Sequence, residues 1–310
     1  MATLATSGLS LPKHLVPGVW KKAQGGSVLA ALSGADPQEF GEQQYMTLTA
    51  PPRGEVVGEG GDKGESTATF APVTAIPRKV QVTQRFNEEV QWADEDYQLG
   101  VLSTMGDLVG DALARALDLI GIHGINPKTG AALSGSPAKL LNTTNSVEAT
   151  GTSKPDADLE AAVGLVLADG YTPKAVALDS AFAFKLATQR NNQDVRLYPE
   201  LGFGQGLGNW NGLQYVSSDT VSGGPEAVTS STGAYATTNP NVKALVGDFS
   251  AFRWGVQRNI ALEVIKYGDP DGLGDLKRKN QIAIRAEVVY GVGILDLNAF
   301  AKVIDAVANT

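Results

Sequence analysis

Side chains that commonly carry catalysis or bind metals are scarce in this chain. Cysteine is absent, which excludes disulfides, thiolate metal ligands and cysteine nucleophiles. Only two histidines occur, His14 and His123, so a transition-metal site is not expected. A serine–histidine–aspartate triad would need one of these two, and the sequence has no nucleophile-elbow pattern. We therefore interpret both histidines as structural residues and expect neither a metal nor a cofactor.

Two glycine-containing motifs resemble ligand sites but differ from them in detail. The glycines of 202–208 fall at every second position, and Leu207 stands where a dinucleotide-binding fingerprint needs its third glycine. A strand pattern, rather than a helix, follows this run. The stretch DPDGLGD at 269–275 looks like a calcium loop, but its twelfth residue is Asn280 where such a loop needs a glutamate. We expect no ligand at either motif.

Charge and carboxylates leave two broad classes of function open. The chain has 33 acidic and 25 basic residues, a formal net charge of −8. This balance disfavours a surface that grips nucleic acid, although it does not exclude enclosing one. A pair of carboxylates could form a hydrolase site, but the sequence does not show which two would face each other. A carboxylate-based hydrolase is the alternative from another class.

The most informative segment is residues 53–65, RGEVVGEGGDKGE, which is charged, rich in glycine and unable to bury a core. Strand-like segments flank it at 44–57 and 66–86. The longest helical pattern, about 30 residues over 92–120, follows directly. A long hairpin that projects from a domain costs conformational entropy unless something holds it. Another copy of the chain is the natural candidate, so the pattern indicates a building block before it indicates an enzyme.

The remaining pattern predicts a mixed α and β chain. Prolines interrupt residues 1–45, which we therefore interpret as an arm. The sequence contains no continuous apolar run of about 18 residues, the length that a membrane-spanning helix needs. The two strands at 260–267 and 281–294 form a long hairpin with a projecting loop between them. Other predicted elements are helices at 156–169 and 180–188, strands at 175–178 and 213–216, and a short terminal helix from Asn298.

Taken in order, these segments resemble the major capsid proteins of tailed double-stranded DNA phages, which share the Hong Kong 97-type shell fold. Residues 56–70 resemble that family's extended E-loop, and 92–120 resemble its spine helix. The stretch WNGLQYV at 210–216 resembles the strand that enters the axial domain. The stretch KNQIAIRAE at 279–287, followed by NAF at 298–300, resembles the closing strand of the peripheral domain.

The resemblance implies an α+β subunit divided in the manner of that family. It places an N-terminal arm at 1–45, the E-loop with its flanking strands at 46–90, and an axial domain at 172–258. The peripheral domain takes 91–171 with the spine helix and 259–310 with a projecting loop at 268–280.

The implied function is structural self-assembly into hexamers and pentamers of an icosahedral head that encloses DNA without reading its sequence. The implied location is the virion, after assembly in the host cytoplasm. Expected partners are other copies, a separate scaffolding protein, a portal, and a maturation protease or decoration proteins. An encapsulin-type nanocompartment shell enclosing cargo enzymes is the alternative within this fold. Encapsulins usually begin with an amphipathic helix, whereas this chain begins with a segment that prolines interrupt.

The resemblance also implies where subunits touch. Contacts are expected at the E-loop tip from Arg53, Glu55, Glu59, Asp62, Lys63 and Glu65, and at the projecting loop from Asp269, Asp271, Asp275, Lys277 and Arg278. Some family members also join subunits by lysine–asparagine isopeptide bonds. The matching positions are Lys63, Asn280 as acceptor and Glu287 as base. The alternative is a solvated lysine, a turn asparagine and an ion-pairing glutamate.

Overall fold

The computed structural model of the chain describes residues 26–90, 92, 101–135, 138–149, 154–202, 207–224 and 242–305. Most of the predicted arm, including His14, lies outside these ranges, as do residues 93–100 of the predicted spine helix. The chain divides into two compact units. The small unit contains the described residues of 83–110 and 262–285. The large unit contains those of 24–82, 111–261 and 286–310.

Ten strands and four helices make up the described fold. The strands are β1 (Gln43–Ala50), β2 (Thr69–Asn87), β3 (Ser146–Ala149), β4 (Ala175–Leu178), β5 (Gly208–Trp210), β6 (Leu213–Ser217), β7 (Val242–Gly247), β8 (Phe252–Ile265), β9 (Gln281–Ile294) and β10 (Phe300–Asp305). The helices are α1 (Val28–Leu32), α2 (Val101–Asp118), α3 (Pro155–Ala168) and α4 (Ser180–Ala187). Strands β2, β8 and β9 and helix α2 each contribute residues to both units. Every helix in the described ranges is too short or too polar to span a bilayer.

A six-stranded sheet in the order β3-β10-β7-β4-β6-β5 forms the centre of the large unit. Both faces of its inner strands are buried, because alternate residues of β4 enter different apolar clusters. Ala175 and Ala177 pack with α1 on one face, and Val176 and Leu178 pack with α3 and α4 on the other. Burial on both faces explains why β4 reads as a short continuous apolar run.

The domain boundaries stay a prediction. Strands β3 and β10 come from segments that we assign to the peripheral domain, yet they pair within the same sheet as strands from the axial segment 172–258. Strand β10 pairs in parallel with β3 and antiparallel with β7, which places it between them.

A second sheet has the order β1-β2-β9-β8. Two of its strands, β1 and β2, form an antiparallel hairpin in which Gln43 lies opposite Ala75 and Leu48 opposite Phe70. The predicted hairpin is therefore confirmed, but its first strand ends at Ala50 and not at 57, so the connecting loop is longer than predicted. Strands β8 and β9 are neighbours joined by a loop, as the sequence also predicts.

The predicted long helix is confirmed over its described part. Helix α2 ends in a π-helical turn at Leu119–His123, and Gly124 stops it in the left-handed conformation at φ 65. Gly121 does not end the helix. A Cβ at this position would lie 2.6 Å from Leu29 and 2.7 Å from Phe252, so glycine allows these side chains to pack directly against the turn.

The predicted terminal helix is wrong. Residues Leu297–Ala299 form one 3₁₀ turn, and Phe300–Asp305 continue as strand β10. The spacing of Phe300, Val303 and Ile304 fits a helical stripe. In the fold, however, the strand is enclosed by neighbours and its apolar residues fall on both faces, which removes the period-two signal. Aromatic and β-branched side chains also favour such a strand.

His123 is held neutral inside the large unit. Its side chain has no exposed surface, and its Nε2 lies 3.0 Å from the carbonyl oxygen of Thr220, so Nε2 carries the proton and donates. Its Nδ1 is buried and has no hydrogen-bond partner among the described residues. Burial lowers the pKa of His123 to about 4, because a charged ring would lose its hydration.

We expect the isolated chain to lose stability as the pH falls from 6.5 to about 4. The ordinary pKa of 6.5 applies to the unfolded chain, which therefore binds a proton before the folded chain does. The stabilisation is complete above pH 6.5 and falls by about 3 kcal/mol down to the folded value. Urea unfolding at several pH values measures this, and His123→Gln should flatten the dependence. An NMR titration in which the His123 ring protonates near pH 6.5 would contradict the expectation.

Candidate assembly surfaces

The β1–β2 hairpin presents an exposed apolar face. Its register places Met46 opposite Pro72 and Leu48 opposite Phe70, so these four side chains share one side of the ribbon, which we call the outer face. Met46 is 66% exposed, Phe70 57% and Leu48 47%. Exposed apolar side chains that lie together in this way mark a candidate interaction surface.

The opposite face of the hairpin is covered within the subunit. Tyr45 and Thr47 are half-buried there, and Ala75 is fully buried. Gln38 also donates a 3.0 Å hydrogen bond from Nε2 to the Tyr45 hydroxyl. The more polar residues of β1 thus turn inward and its aliphatic residues turn outward, which is the reverse of the usual pattern.

The hairpin loop, residues 51–68, is exposed throughout. A few hydrogen bonds shape it: the Arg53 amide donates to Ser66 Oγ (2.8 Å), and the Gly64 amide donates to Glu55 Oε2 (2.8 Å). Val56 is fully exposed at the tip. The predicted contact residues of the tip are likewise at the surface: Arg53, Glu55, Glu59, Asp62, Lys63 and Glu65. Their contact with other subunits stays a prediction.

The loop between β8 and β9 is tied down inside the small unit. The guanidinium of Arg85, on β2, pairs with Asp271 and lies 3.2 Å from Asp269. This pairing holds the pKa of Asp271 below its usual range, chiefly through the hydrogen bond from Arg85. Arg285, on β9, donates to the carbonyl of Pro270 and to Thr83 Oγ1. These two acidic residues are therefore already engaged within the subunit.

The end of the same loop is basic and more accessible. Lys277–Lys279 form a 3₁₀ turn, whose start is fixed by Asp275 accepting a 2.8 Å hydrogen bond from the Arg278 amide. Lys277 Nζ lies 3.6 Å from Glu88 and 5.8 Å from the centre of the Tyr267 ring. Asp275, Lys277 and Arg278 are all exposed, and their role as subunit contacts also stays a prediction.

Each of the three candidate crosslinking residues has a different environment in one subunit. Lys63 is exposed in the hairpin loop. Asn280 caps the basic turn in the left-handed conformation, with φ 54. Glu287 is only 8% exposed and forms an ion pair with Lys79, whose Nζ lies 2.6 Å from Glu287 Oε2. The carboxylate that the resemblance assigns as base is therefore paired with a lysine of the same chain.

A carboxylate that the sequence did not single out lies beside Asn280. The Nδ2 of Asn280 donates a 2.8 Å hydrogen bond to Glu89 Oε1, and the Glu88 amide donates to the Asn280 carbonyl at 3.0 Å. Glu89 lies two residues after the end of β2, and Asn280 directly precedes β9. Because β2 and β9 are neighbours in the sheet, their ends meet, but this pairing is not visible in the sequence alone.

Comparisons with a family model and with solved structures both match this chain to capsid proteins. The model of the phage capsid family matches residues 7–304. A solved structure from Mycobacterium phage Ogopogo is 70% identical over 98% of this chain and 100% of that chain, with a TM-score of 0.90. One from Gordonia phage Cozz is 30% identical over 96% and 92%, with a TM-score of 0.80. The capsid of a native GTA particle shares the fold at 12% identity, covering 98% and 100%, with a TM-score of 0.66. No curated protein matches the sequence.

Proposed function

Because the chain belongs to the phage capsid family and is a structural capsid protein, we propose that its copies assemble into hexamers and pentamers of an icosahedral head around double-stranded DNA. The predicted Hong Kong 97-type fold is confirmed. The finer proposal rests on one observation above all, the outer face of the hairpin. An exposed apolar surface gains by being covered, and in a shell the surface that covers it belongs to another copy.

This contact is directional, which favours closed assemblies. The hairpin of one subunit would lie on a different surface of its neighbour, a heterologous contact that produces rings when the rotation closes. Rings of five and six copies satisfy that condition in an icosahedral shell. The hairpin loop fits the same role, because its exposed chain gains an ordered environment only against another molecule.

Electron microscopy of the purified protein tests the proposal. We expect closed shells to form alone or with a co-expressed scaffolding protein. A subunit that remains a monomer under every assembly condition would contradict it. The content of particles from infected cells separates the two shell functions, because a phage head contains DNA or is empty, whereas a nanocompartment contains cargo enzymes.

We also propose the partners that such a head requires: a separate scaffolding protein, a portal, and a maturation protease or decoration proteins, with assembly in the host cytoplasm. The net charge of −8 supports a wall that encloses DNA without gripping it. Packaged DNA must later leave the head, so a strongly basic inner surface would oppose release.

The isopeptide crosslink is a separate proposal within this function. In this step the neutral amine of Lys63 attacks the carboxamide carbon of Asn280 on another subunit, a new amide bond forms and ammonia leaves. A carboxylate accepts the proton of the attacking amine. Glu287 is the base that the family resemblance implies, and Glu89 is the carboxylate already bonded to the Asn280 side chain.

Boiling assembled particles in detergent tests the crosslink. We expect a ladder of covalent oligomers from the unsubstituted protein and a single subunit band from Lys63→Arg, because a guanidinium keeps the charge but is not a nucleophile. Glu287→Gln and Glu89→Gln identify the base, since only the loss of the true base should remove the ladder. A single band from unsubstituted mature particles would exclude the crosslink.

A further inference from the structure

A buried carboxylate, Asp118, joins three separate segments of the large unit. It lies at the end of α2 with no exposed surface. Its Oδ1 accepts hydrogen bonds from Ser27 Oγ (2.6 Å) and the Leu29 amide (3.0 Å). Its Oδ2 accepts from the Val28 amide (2.9 Å) and from Thr220 Oγ1 (2.6 Å). The carboxylate therefore contacts both the N-terminal segment and the 3₁₀ turn Asp219–Val221.

All four partners act as donors, which suits an ionised carboxylate. An ionised carboxylate only accepts, and each of its two oxygens has two donors here. Burial raises the pKa of Asp118, while hydrogen bonds from Ser27, Thr220 and the two amides oppose this effect. The backbone amides cannot reverse their role. An asparagine in its place would therefore set its side-chain NH2 against one of these backbone N–H donors.

The N-terminal segment depends strongly on this carboxylate. Helix α1 has only five residues, Val28–Leu32, too few to be stable without outside support. Two amides of its first turn are satisfied by Asp118, and Ser27 Oγ accepts from the Ala30 amide at 3.0 Å. Removing the carboxylate leaves those two buried amides without an acceptor.

The turn at Asp219–Val221 depends on α2 and the π-helical turn that follows it. Thr220 Oγ1 donates to Asp118, and the Thr220 carbonyl accepts from His123. Asp219 pairs with the buried Arg115, one turn earlier on α2, at 2.7 Å. These contacts attach the turn to the long helix, and the one to Asp118 is shared with the N-terminal segment.

We propose that Asp118 is a latch that holds residues 26–33 and the turn 219–221 to the long helix, so that the two segments open together when its hydrogen bonds break. The latch gives the subunit a defined way to release its N-terminal segment while the six-stranded sheet stays folded. Residues 34–41 follow that segment, and the Asp36 amide donates to the Trp254 carbonyl at 2.8 Å, which marks where the released segment would end.

Hydrogen exchange on the unassembled protein tests the latch. Asp118→Asn preserves the shape of the side chain but places an amide against donors. We expect exchange to become at least about tenfold faster in both 26–33 and 218–222, with strands β4 and β7 unchanged. Thr220→Val keeps the carboxylate and should accelerate exchange only in 218–222.

Three outcomes would overturn the proposal. Faster exchange confined to 26–33 in Asp118→Asn would make Asp118 a simple helix cap without coupling. Unchanged exchange in both segments would remove any latch. If Asp118→Asn does not fold, the unsubstituted protein decides, because a latch requires 26–33 and 218–222 to exchange at one common rate, faster than β4 and β7. Different rates in the two segments would contradict it.

Discussion

Replacing Phe70 by aspartate should abolish shell assembly while leaving the subunit folded. Phe70 is 57% exposed in the subunit and shares the outer face with Leu48, so its loss removes little internal packing. In a shell the same side chain would be covered, and a buried unpaired carboxylate is costly. A central aromatic residue at an interface contributes about 2 kcal/mol or more, which is roughly 30-fold in affinity at each contact. Every subunit repeats the defect, so the effect on assembly is larger still.

Sedimentation and electron microscopy measure the effect, and circular dichroism of the unassembled protein checks the fold. Phe70→Leu is the matched control, because it keeps the outer face apolar and should still form shells. Shells of normal yield from Phe70→Asp would show that the outer face is not an interface. Loss of assembly in both variants would show that the aromatic shape, and not the apolar character, matters.

The outer face, and not the charged loop, should supply most of the free energy with which the hairpin binds a neighbouring subunit. Exposed ion pairs contribute about 0–1 kcal/mol each, because water and salt screen them. Apolar surface contributes about 25 cal/mol for each Å² that is covered. The loop residues from Arg53 to Glu65 would then set the orientation and specificity of the contact rather than its strength.

The sequence predicts that the hairpin exists but not which way it faces. Residues 43–50, QQYMTLTA, alternate between Tyr45 and Thr47 on one side and Met46 and Leu48 on the other. The usual rule turns the aliphatic side toward the core of its own subunit. In this subunit that side is exposed, because the core that covers it is expected to form only on assembly. A single chain carries no signal that separates these two cases.

Contacts between distant residues limited the prediction of the candidate site. Arg85 reaches Asp269 and Asp271 over more than 180 positions, so the acidic loop residues read as free surface charges in the sequence. Glu89 meets Asn280 in the same way, through the pairing of neighbouring strands. Local patterns predicted α3, β4 and α4 nearly residue for residue, because those elements are determined by short-range periodicity and caps.

A substitution in β10, the last strand of the described chain, should have the second large effect, in this case on the free energy of unfolding. Phe300 has no exposed surface and packs edge-to-face on Phe249, with ring centres 5.5 Å apart. It begins strand β10, which hydrogen-bonds to β3 and β7 and so closes the central sheet. Phe300→Ala should therefore lower the free energy of unfolding by about 3–5 kcal/mol, from lost burial and the cavity that remains.

Urea unfolding of the unassembled protein measures this loss. Phe40→Ala is the matched control, because Phe40 is 72% exposed and its truncation should cost less than about 0.5 kcal/mol. The comparison also distinguishes between two structures for the same residues, strand β10 and the terminal helix that the spacing of Phe300 and Val303 predicts. In a short helix lying on the surface, the loss of one aromatic side chain should cost only about 0.5 kcal/mol. A central strand has no such freedom, since its register fixes the position of every neighbour, and a small loss at Phe300 would contradict its place between β3 and β7.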